Sequence, residues 1–591
     1  MRYLECSLAV LFGTTSLAAA QGPAPAAAAS PFRTPQEVWA GFDPRREPLD
    51  VQIKAAWVEK GIAYREFCFT GETFANTPVR VYAMYAAPQG GKDLPAVLHI
   101  HGGGGTVSRP WLDLWANRGY AALSFNWGGR WEKRPDYTRW GPLVQGNHLD
   151  ANPGVVVVRP DQHVSCWYHW AVISRRCLTY LERQPEVDAR RIGIFGISMG
   201  GTLAWPIAAM DQRVKAACAI YGNGWDTYPQ DRYAPDPRAA DPDTLVWRKT
   251  MEAESYAPLI RCPVLFLSAT DDQHGRMDRS DDILARVPAP TWQANTPNQR
   301  HHVAPEQGKD LPLFMDAMLK GGPAWPKNPA VRLALAAGGV PALAVAPDAA
   351  PTVQRVEIYY GIGQTHPMAR HWRLVAASRC GDAWQADLPV LDVRQKLFAF
   401  ANVFYGSGIC LTSRLIAAVP AELGDAKATD RPSLLIDDFS AGIAAWVRSP
   451  AYTDPWETTT YLRPAVGPRG QKGITQANTG NWYVFCTRKI GDPKWRGPAG
   501  AALVFQVLSG KANQLKVAVI RGEGRPEAKT FVARADLAPS ADWQNVTLKA
   551  DRFKTAEGQV LGGWQDLNCL QITADAWAGD PCVLSLVRWL P

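Results

Sequence analysis

The stretch Arg191-Ile192-Gly193-Ile194-Phe195-Gly196-Ile197-Ser198-Met199-Gly200-Gly201-Thr202-Leu203-Ala204-Trp205 decides the fold. Its first five residues make a short, largely apolar run of the kind a strand buried in a parallel sheet shows. From residue 201 to 209 the side chains are mostly small and apolar, the composition of a helix packed closely on a sheet. Between the two lies Gly-x-Ser-x-Gly. A serine between glycines at a strand-to-helix turn is held with its hydroxyl exposed, because the glycines allow a strained backbone and close packing. As a bare string the pattern is common, and its plainer reading is an ordinary Gly-rich turn. The flanking strand and helix make Ser198 a candidate nucleophile.

Outward from this turn, residues 32–322 alternate between two periodicities. Short apolar runs at 96–100, 121–125, 191–195, 214–221 and 263–268 read as strands, and 111–117, 165–184 and 311–319 read as helices. Such alternation implies a mostly parallel sheet with helices on both faces. After Gly321-Gly322-Pro323 the helical pattern fades. Residues 330–425 read as a β-rich, Ig-like domain with strands at 353–360 and 397–405, the latter ending at Gly406-Ser407-Gly408. A polar break at 421–433 introduces a third unit, 432–591. Its strands at 502–507, 515–520, 543–548, 570–572 and 583–589 fit a β-sandwich of jelly-roll type. The expected chain is therefore multidomain, one α/β domain followed by two β-sandwich-like domains.

Three features join Ser198. The run at 263–268 leads into Ala269-Thr270-Asp271-Asp272, which places a carboxylate beyond a strand's C-terminal end, the edge where open α/β sheets hold ligands. Pro297-Asn298-Gln299-Arg300-His301-His302 supplies histidine in a polar loop before the closing helix. Asp271 is taken over its neighbour Asp272 and over the more distant Asp226, and His301 over His302. His274 reads as a loop or rim residue. Upstream, His101-Gly102-Gly103-Gly104-Gly105 follows the strand at 96–100. Glycines there let backbone N–H groups approach a ligand, and the amides of Gly103 or Gly104 and of Met199 are the candidate oxyanion donors. A phosphate loop is not indicated, since no Gly-Lys-Ser/Thr ending follows. The chain order Ser198, Asp271, His301 is that of the α/β-hydrolase triad.

On His101-Gly102-Gly103-Gly104, Gly196 to Gly201, Ser268 to Asp272 and Asn298 to His301, the chain resembles the acetyl xylan esterase and dienelactone hydrolase-like branch of the α/β-hydrolases. The resemblance covers roughly residues 60–322. One departure is the nucleophile, since dienelactone hydrolases proper use cysteine and this chain has Ser198. The resemblance implies a serine carboxylic-ester hydrolase that needs no cofactor or metal and acts on acetylated or otherwise esterified polysaccharide. An insertion at 128–161 is the expected pocket wall, and Trp127, Arg130, Trp131 and Trp225 are candidate pocket residues for a sugar ring or an acidic sugar. In the third unit, which looks like a carbohydrate-binding module, Trp446, Trp456, Trp482, Trp495, Trp564 and Trp577 are candidate stacking surfaces.

Composition bounds the alternatives. The 591 residues carry a formal net charge of +8 with no dense Lys/Arg run, which gives nucleic-acid binding little support. Residues 1–20 read as a signal peptide with a small-residue cleavage site after Ala20, followed by an Ala/Pro linker at 21–31. Secretion or export to a periplasm is expected, and no later segment is apolar enough to span a bilayer. Of the 11 cysteines, Cys177 and Cys218 read as buried thiols, whereas Cys380 with Cys410 and Cys569 with Cys582 are candidate bridges in an oxidising compartment. Two other functions compete. A peptidase of the prolyl oligopeptidase type shares the triad order, but no room exists before residue 60 for its propeller. A glycan-binding protein with a vestigial hydrolase domain would suit the two β-rich units, and the intact triad residues argue against it.

Overall fold

The computed structural model describes residues 31–130, 134–224, 233, 241–447, 462–476 and 483–591. The expected signal peptide and all but the last residue of the linker lie outside them, as do Trp131, Trp225, Asp226, Trp456 and Trp482.

The N-terminal domain is built on a nine-stranded sheet. Its strands are β1 (Gln52–Glu59), β2 (Ile62–Phe74), β3 (Thr77–Pro88), β4 (Leu94–Ile100), β5 (Ala121–Phe125), β6 (Val187–Ile197), β7 (Val214–Ile220), β8 (Val264–Ala269) and β9 (Thr291–Thr296). They are ordered β1-β2-β3-β5-β4-β6-β7-β8-β9. From β5 to β9 neighbours run parallel, and the first three strands extend the sheet antiparallel to it. This is an α/β-hydrolase-like domain. Period-two alternation divides the buried side chains between its two faces. Ala96, Leu98, Ile100, Ile192, Ile194, Val264 and Phe266 pack with the helices Cys166–Glu182 and Met199–Met210. Val97, Phe195, Cys218, Leu265 and Leu267 pack with Arg109–Asn117 and Asp310–Lys320. With both faces covered, these central strands read as near-continuous apolar runs, and each buried Leu, Ile, Val or Phe contributes about 1.5–3 kcal/mol.

The sheet order fixes where a ligand site belongs. The chain leaves β4 toward β5 on one side and returns to β6 on the other, so its winding direction reverses between β4 and β6. A crevice opens at the carboxyl ends of the strands at such a switch point. The loop after β4 carries the four glycines, and the turn after β6 carries Ser198.

Several antiparallel sheets follow. A four-stranded and a five-stranded sheet, spanning Ala330–Leu335 to Ile416–Ala418, enclose a core of Leu343, Val345, Ile358, Leu397 and Val403. The strand Leu397–Tyr405 is buried on both sides. Its Phe398 and Phe400 turn away from that core and pack with Met277 of the hydrolase domain and Trp372. A six-stranded and a four-stranded sheet, spanning Leu435–Asp437 to Val583–Leu590, enclose Leu503, Phe505, Val517, Val519, Leu570 and Leu584.

Some expectations for these units change. Trp446 and Trp564 are buried core residues, so neither is a stacking surface. Trp495 is half-buried among Arg373, Lys489, Lys494 and His371, and Trp577 is also half-buried. All the described cysteines are free. Cys380 is exposed while Cys410 is buried, and Cys569 faces Cys486, their sulfurs 3.3 Å apart, rather than Cys582. Cys177 and Cys218 are buried thiols. Among the described residues, no helix is long and apolar enough to cross a membrane.

Candidate active site

Ser198 follows β6 as the N-cap of the next helix, with φ 58° and ψ −118°, in the positive-φ region that costs a non-glycine residue about 1–3 kcal/mol. The tight packing around the turn sustains that strain. The Ser198 amide donates to the Ile220 carbonyl at 2.8 Å and its own carbonyl accepts from Thr202. The helix Met199–Met210 begins immediately, so its first N–H groups face the crevice unsatisfied by the helix itself. Gly200 is required by contact. A Cβ there would lie 2.0 Å from the Ile100 carbonyl oxygen, backbone against backbone, with no side chain able to yield. Gly200→Ala should therefore destabilise the protein at or beyond the ~3 kcal/mol end of overpacking effects. A lowered thermal midpoint or loss of soluble protein would register it, and a variant as stable as the parent would refute this account of the turn.

The Gly-rich loop comes close to the nucleophile. A Cβ on Gly102 would stand 3.2 Å from Ser198 Cβ, and one on Gly103 would stand 2.7 Å from Met199 Sδ. Gly105 donates to the Gly102 carbonyl at 3.0 Å in a tight turn with Gly104 at φ 70°. The amides of Gly103 and Gly104 thus sit at the crest of that turn, beside the N-terminus of the Ser198 helix. His101 fixes the loop from below. Its Nε2 accepts from the Trp127 backbone N–H at 3.2 Å, so its proton is on Nδ1, which donates to the Gly102 carbonyl at 2.6 Å. Burial pushes this imidazole down to about 3, and it stays neutral.

His301 closes the arrangement. Its Nε2 lies 2.8 Å from Ser198 Oγ and its Nδ1 lies 2.5 Å from an oxygen of Asp272. Tyr221 packs on the His301 ring at a centroid distance of 4.2 Å, and its hydroxyl accepts from the Val303 amide. Asp272, and not the expected Asp271, stands in the place of the acid. Alternation past the end of β8 turns the two carboxylates in different directions. Asp272 Oδ1 accepts from the amides of His274 and Gly275, both at 2.6 Å, while Oδ2 faces His301. Burial opposes its charge, but His301 and the Gly275 amide prevail and hold the carboxyl below the usual carboxylate range. Asp271 faces away toward Arg488 of the C-terminal unit, at 2.9 Å.

The other expected residues are placed as follows. Trp127 is fully buried, stacked on His101 at 4.7 Å, with its indole N–H donating to the His101 carbonyl at 2.8 Å. It is a support under the Gly-rich loop and not a pocket wall. Arg130 is exposed. Trp140 is buried and donates to the Trp127 carbonyl. His274 is buried against Thr202 Oγ1, and burial pushes it down to about 3. Sequence reasoning passed over Tyr221. Its position at the C-terminal end of an apolar run, next to Gly222, was the available signal.

Residues 47–223 match the family model Acetyl xylan esterase (AXE1), and residues 163–295 match the Dienelactone hydrolase family model. Among solved structures, the chain is similar to an acetyl xylan esterase from Paenibacillus sp. R4, at 20% identity and a TM-score of 0.38. That likeness covers 47% of this chain and 91% of the other. It is also similar to acetyl xylan esterase 1 from Thermoanaerobacterium sp. JW/SL YS485, at 17% identity and a TM-score of 0.36, over 49% of this chain and 94% of that one. The comparison with curated proteins gives no match.

Proposed function

We propose that this chain, whose N-terminal domain is an α/β-hydrolase of the acetyl xylan esterase and dienelactone hydrolase-like branch, is a secreted serine esterase that removes acetyl or similar acyl groups from polysaccharide. The observation that carries the reading is the hydrogen-bonded series Ser198–His301–Asp272 at the sheet's switch point, beside the Gly-rich loop. An ionised Asp272 accepts only, so the His301 proton resides on Nδ1 and Nε2 is free to accept from Ser198. Ser198 Oγ attacks the ester carbonyl as its proton passes to His301 Nε2. The charge that develops on the carbonyl oxygen meets the amides of Met199 and of Gly103 or Gly104. Protonated His301 then donates to the departing sugar oxygen, and water, activated by the same imidazole, releases the acid from Ser198.

The match of residues 47–223 to the acetyl xylan esterase model supports acetylated polysaccharide as the substrate class. The N-terminal leader composition supports export. The test is acetate release from acetylated xylan and other acetylated polysaccharides, run beside hydrolysis of p-nitrophenyl acetate. Release from at least one polymer is expected. Turnover of p-nitrophenyl acetate with none from any polymer would refute the substrate class, and turnover of neither would refute the esterase.

A further inference from the structure

The loop that carries His301 is held from outside its own domain as well as from within it. Asn298, at φ 55°, exchanges two hydrogen bonds of 2.8 Å with the backbone of Trp372. Gln299 donates to the Trp446 carbonyl at 3.2 Å. Arg300 pairs with Glu523. Three successive residues before the histidine are thus anchored to three different segments downstream of the hydrolase domain.

The loop that carries Asp272 is held by the same group of charges. Arg488 is a fork. Its Nη1 donates to Asp271 at 2.9 Å, while Nε and Nη2 donate to the two oxygens of Glu523 at 2.9 and 3.2 Å. Asp271 also accepts from Thr270 Oγ1, whose oxygen accepts from the Asn298 amide, so the two loops are stitched together beside the network. Two guanidiniums and two carboxyl groups meet here, and Asp271, Arg488 and Glu523 are almost wholly buried. Burial raises the Asp271 carboxyl, and Arg488 draws it back. A buried ion network of this kind adds little net stability relative to apolar packing of the same volume, and its best-attested use is to fix one geometry. Here the geometry it touches is the pair of residues immediately preceding Asp272 and His301.

We infer that Arg488 and Glu523 of the C-terminal β-sandwich are positioning residues for the hydrolase site, setting the separation of Asp272 and His301 through Asp271 and Arg300. This deepens the esterase reading and rests on it. The hydrolase domain then carries the reacting groups but does not by itself fix their alignment.

Glu523→Gln in the full-length chain is the direct test, because it keeps shape and removes one charge. The expected result is a kcat for p-nitrophenyl acetate lowered by roughly tenfold to 100-fold, the scale of misalignment by about an ångström. KM should stay within about twofold, since the acyl-binding surfaces are untouched, while the thermal midpoint should fall, because Arg300 and Arg488 lose the carboxylate they share. Arg488→Met should lose more. Arg488→Lys, which keeps a cation but cannot fork between two carboxylates, should recover part of that loss. If Arg488→Met fails to fold, Glu523→Gln and Arg488→Lys still decide. A crystal structure of Glu523→Gln supplies a readout independent of turnover. Residues 298–302 should be displaced and the His301–Asp272 bond lengthened. Parental kcat in a folded Glu523→Gln variant, or an unmoved His301 loop in its crystal structure, would overturn the inference. An inactive parent would refute the esterase reading while the crystallographic comparison still judged the positioning role.

Discussion

Ser198→Ala is expected to lower kcat for p-nitrophenyl acetate by a factor on the order of 10^6, the scale at which removing the nucleophile of a serine triad acts. The alanine variant should remain folded. Ser198 Oγ is bonded to His301 at the crevice, whereas the backbone at 198 is held by Ile220 and Thr202, which the substitution does not touch. Alanine pays the same positive-φ cost as serine to a first approximation, so the thermal midpoint should change little. What remains is the catalysis supplied by the amides of Met199 and of the Gly-rich loop, together with binding, and water would attack the ester directly. The decisive measurement is turnover corrected for contaminating esterase. A fluorophosphonate probe that labels the parent and not the variant would identify Ser198 as the reacting atom. Turnover of the purified variant within tenfold of the parent would end the serine mechanism for this chain.

Most of the central sheet was legible because parallel strands covered on both faces are written as apolar runs. The run at 121–125 coincides with β5, and the run at 96–100 lies within β4. Two parts of the sheet carry no such signal. β1 has no buried residue, so its sequence shows no face to read. β9, Thr-Trp-Gln-Ala-Asn-Thr, is buried at its polar end because a later unit supplies partners. Gln293 donates to the Ser413 carbonyl, and the Asn295 amide donates to Thr412. A strand whose polar groups are satisfied from more than 100 residues away looks like a loop when read locally. The same physics hid the identity of the acid. Asp271 and Asp272 are adjacent and both fully buried, and nothing local to them says which one meets histidine and which meets Arg488. Ser198 and His301 were legible because the elbow and the polar loop each carry their own signal. Trp372, Trp446, Arg488 and Glu523, which bond the residues next to His301 and Asp272, are joined to the site only by tertiary structure.

Asp272→Asn and Asp271→Asn separate those two roles. In Asp272→Asn the amide keeps the side chain's shape but can present its NH2 to His301, which favours the imidazole tautomer with its proton on Nε2. That nitrogen then cannot accept from Ser198, and kcat should fall by about 10^4-fold at neutral pH. Asp271→Asn leaves the His301–Asp272 bond in place and still offers Arg488 an oxygen, so its loss should be about tenfold, through alignment alone. Stability should separate them as well. The Asp272 carboxyl is held below its ordinary range in the folded protein, so its charge stabilises the fold at pH values above about 4. That contribution disappears as pH falls through the lower, folded value. Asp272→Asn should therefore flatten the acid limb of a thermal-midpoint-versus-pH curve. Asp271 has the opposite sign, because burial raises its carboxyl to about 7 in the folded protein. Ionising it costs stability as pH rises from about 4 toward that value, and Asp271→Asn should remove that loss. Kinetic losses in the reverse order, severe for Asp271→Asn and mild for Asp272→Asn, would return the catalytic acid to Asp271 and require the two carboxylates to exchange places when substrate binds.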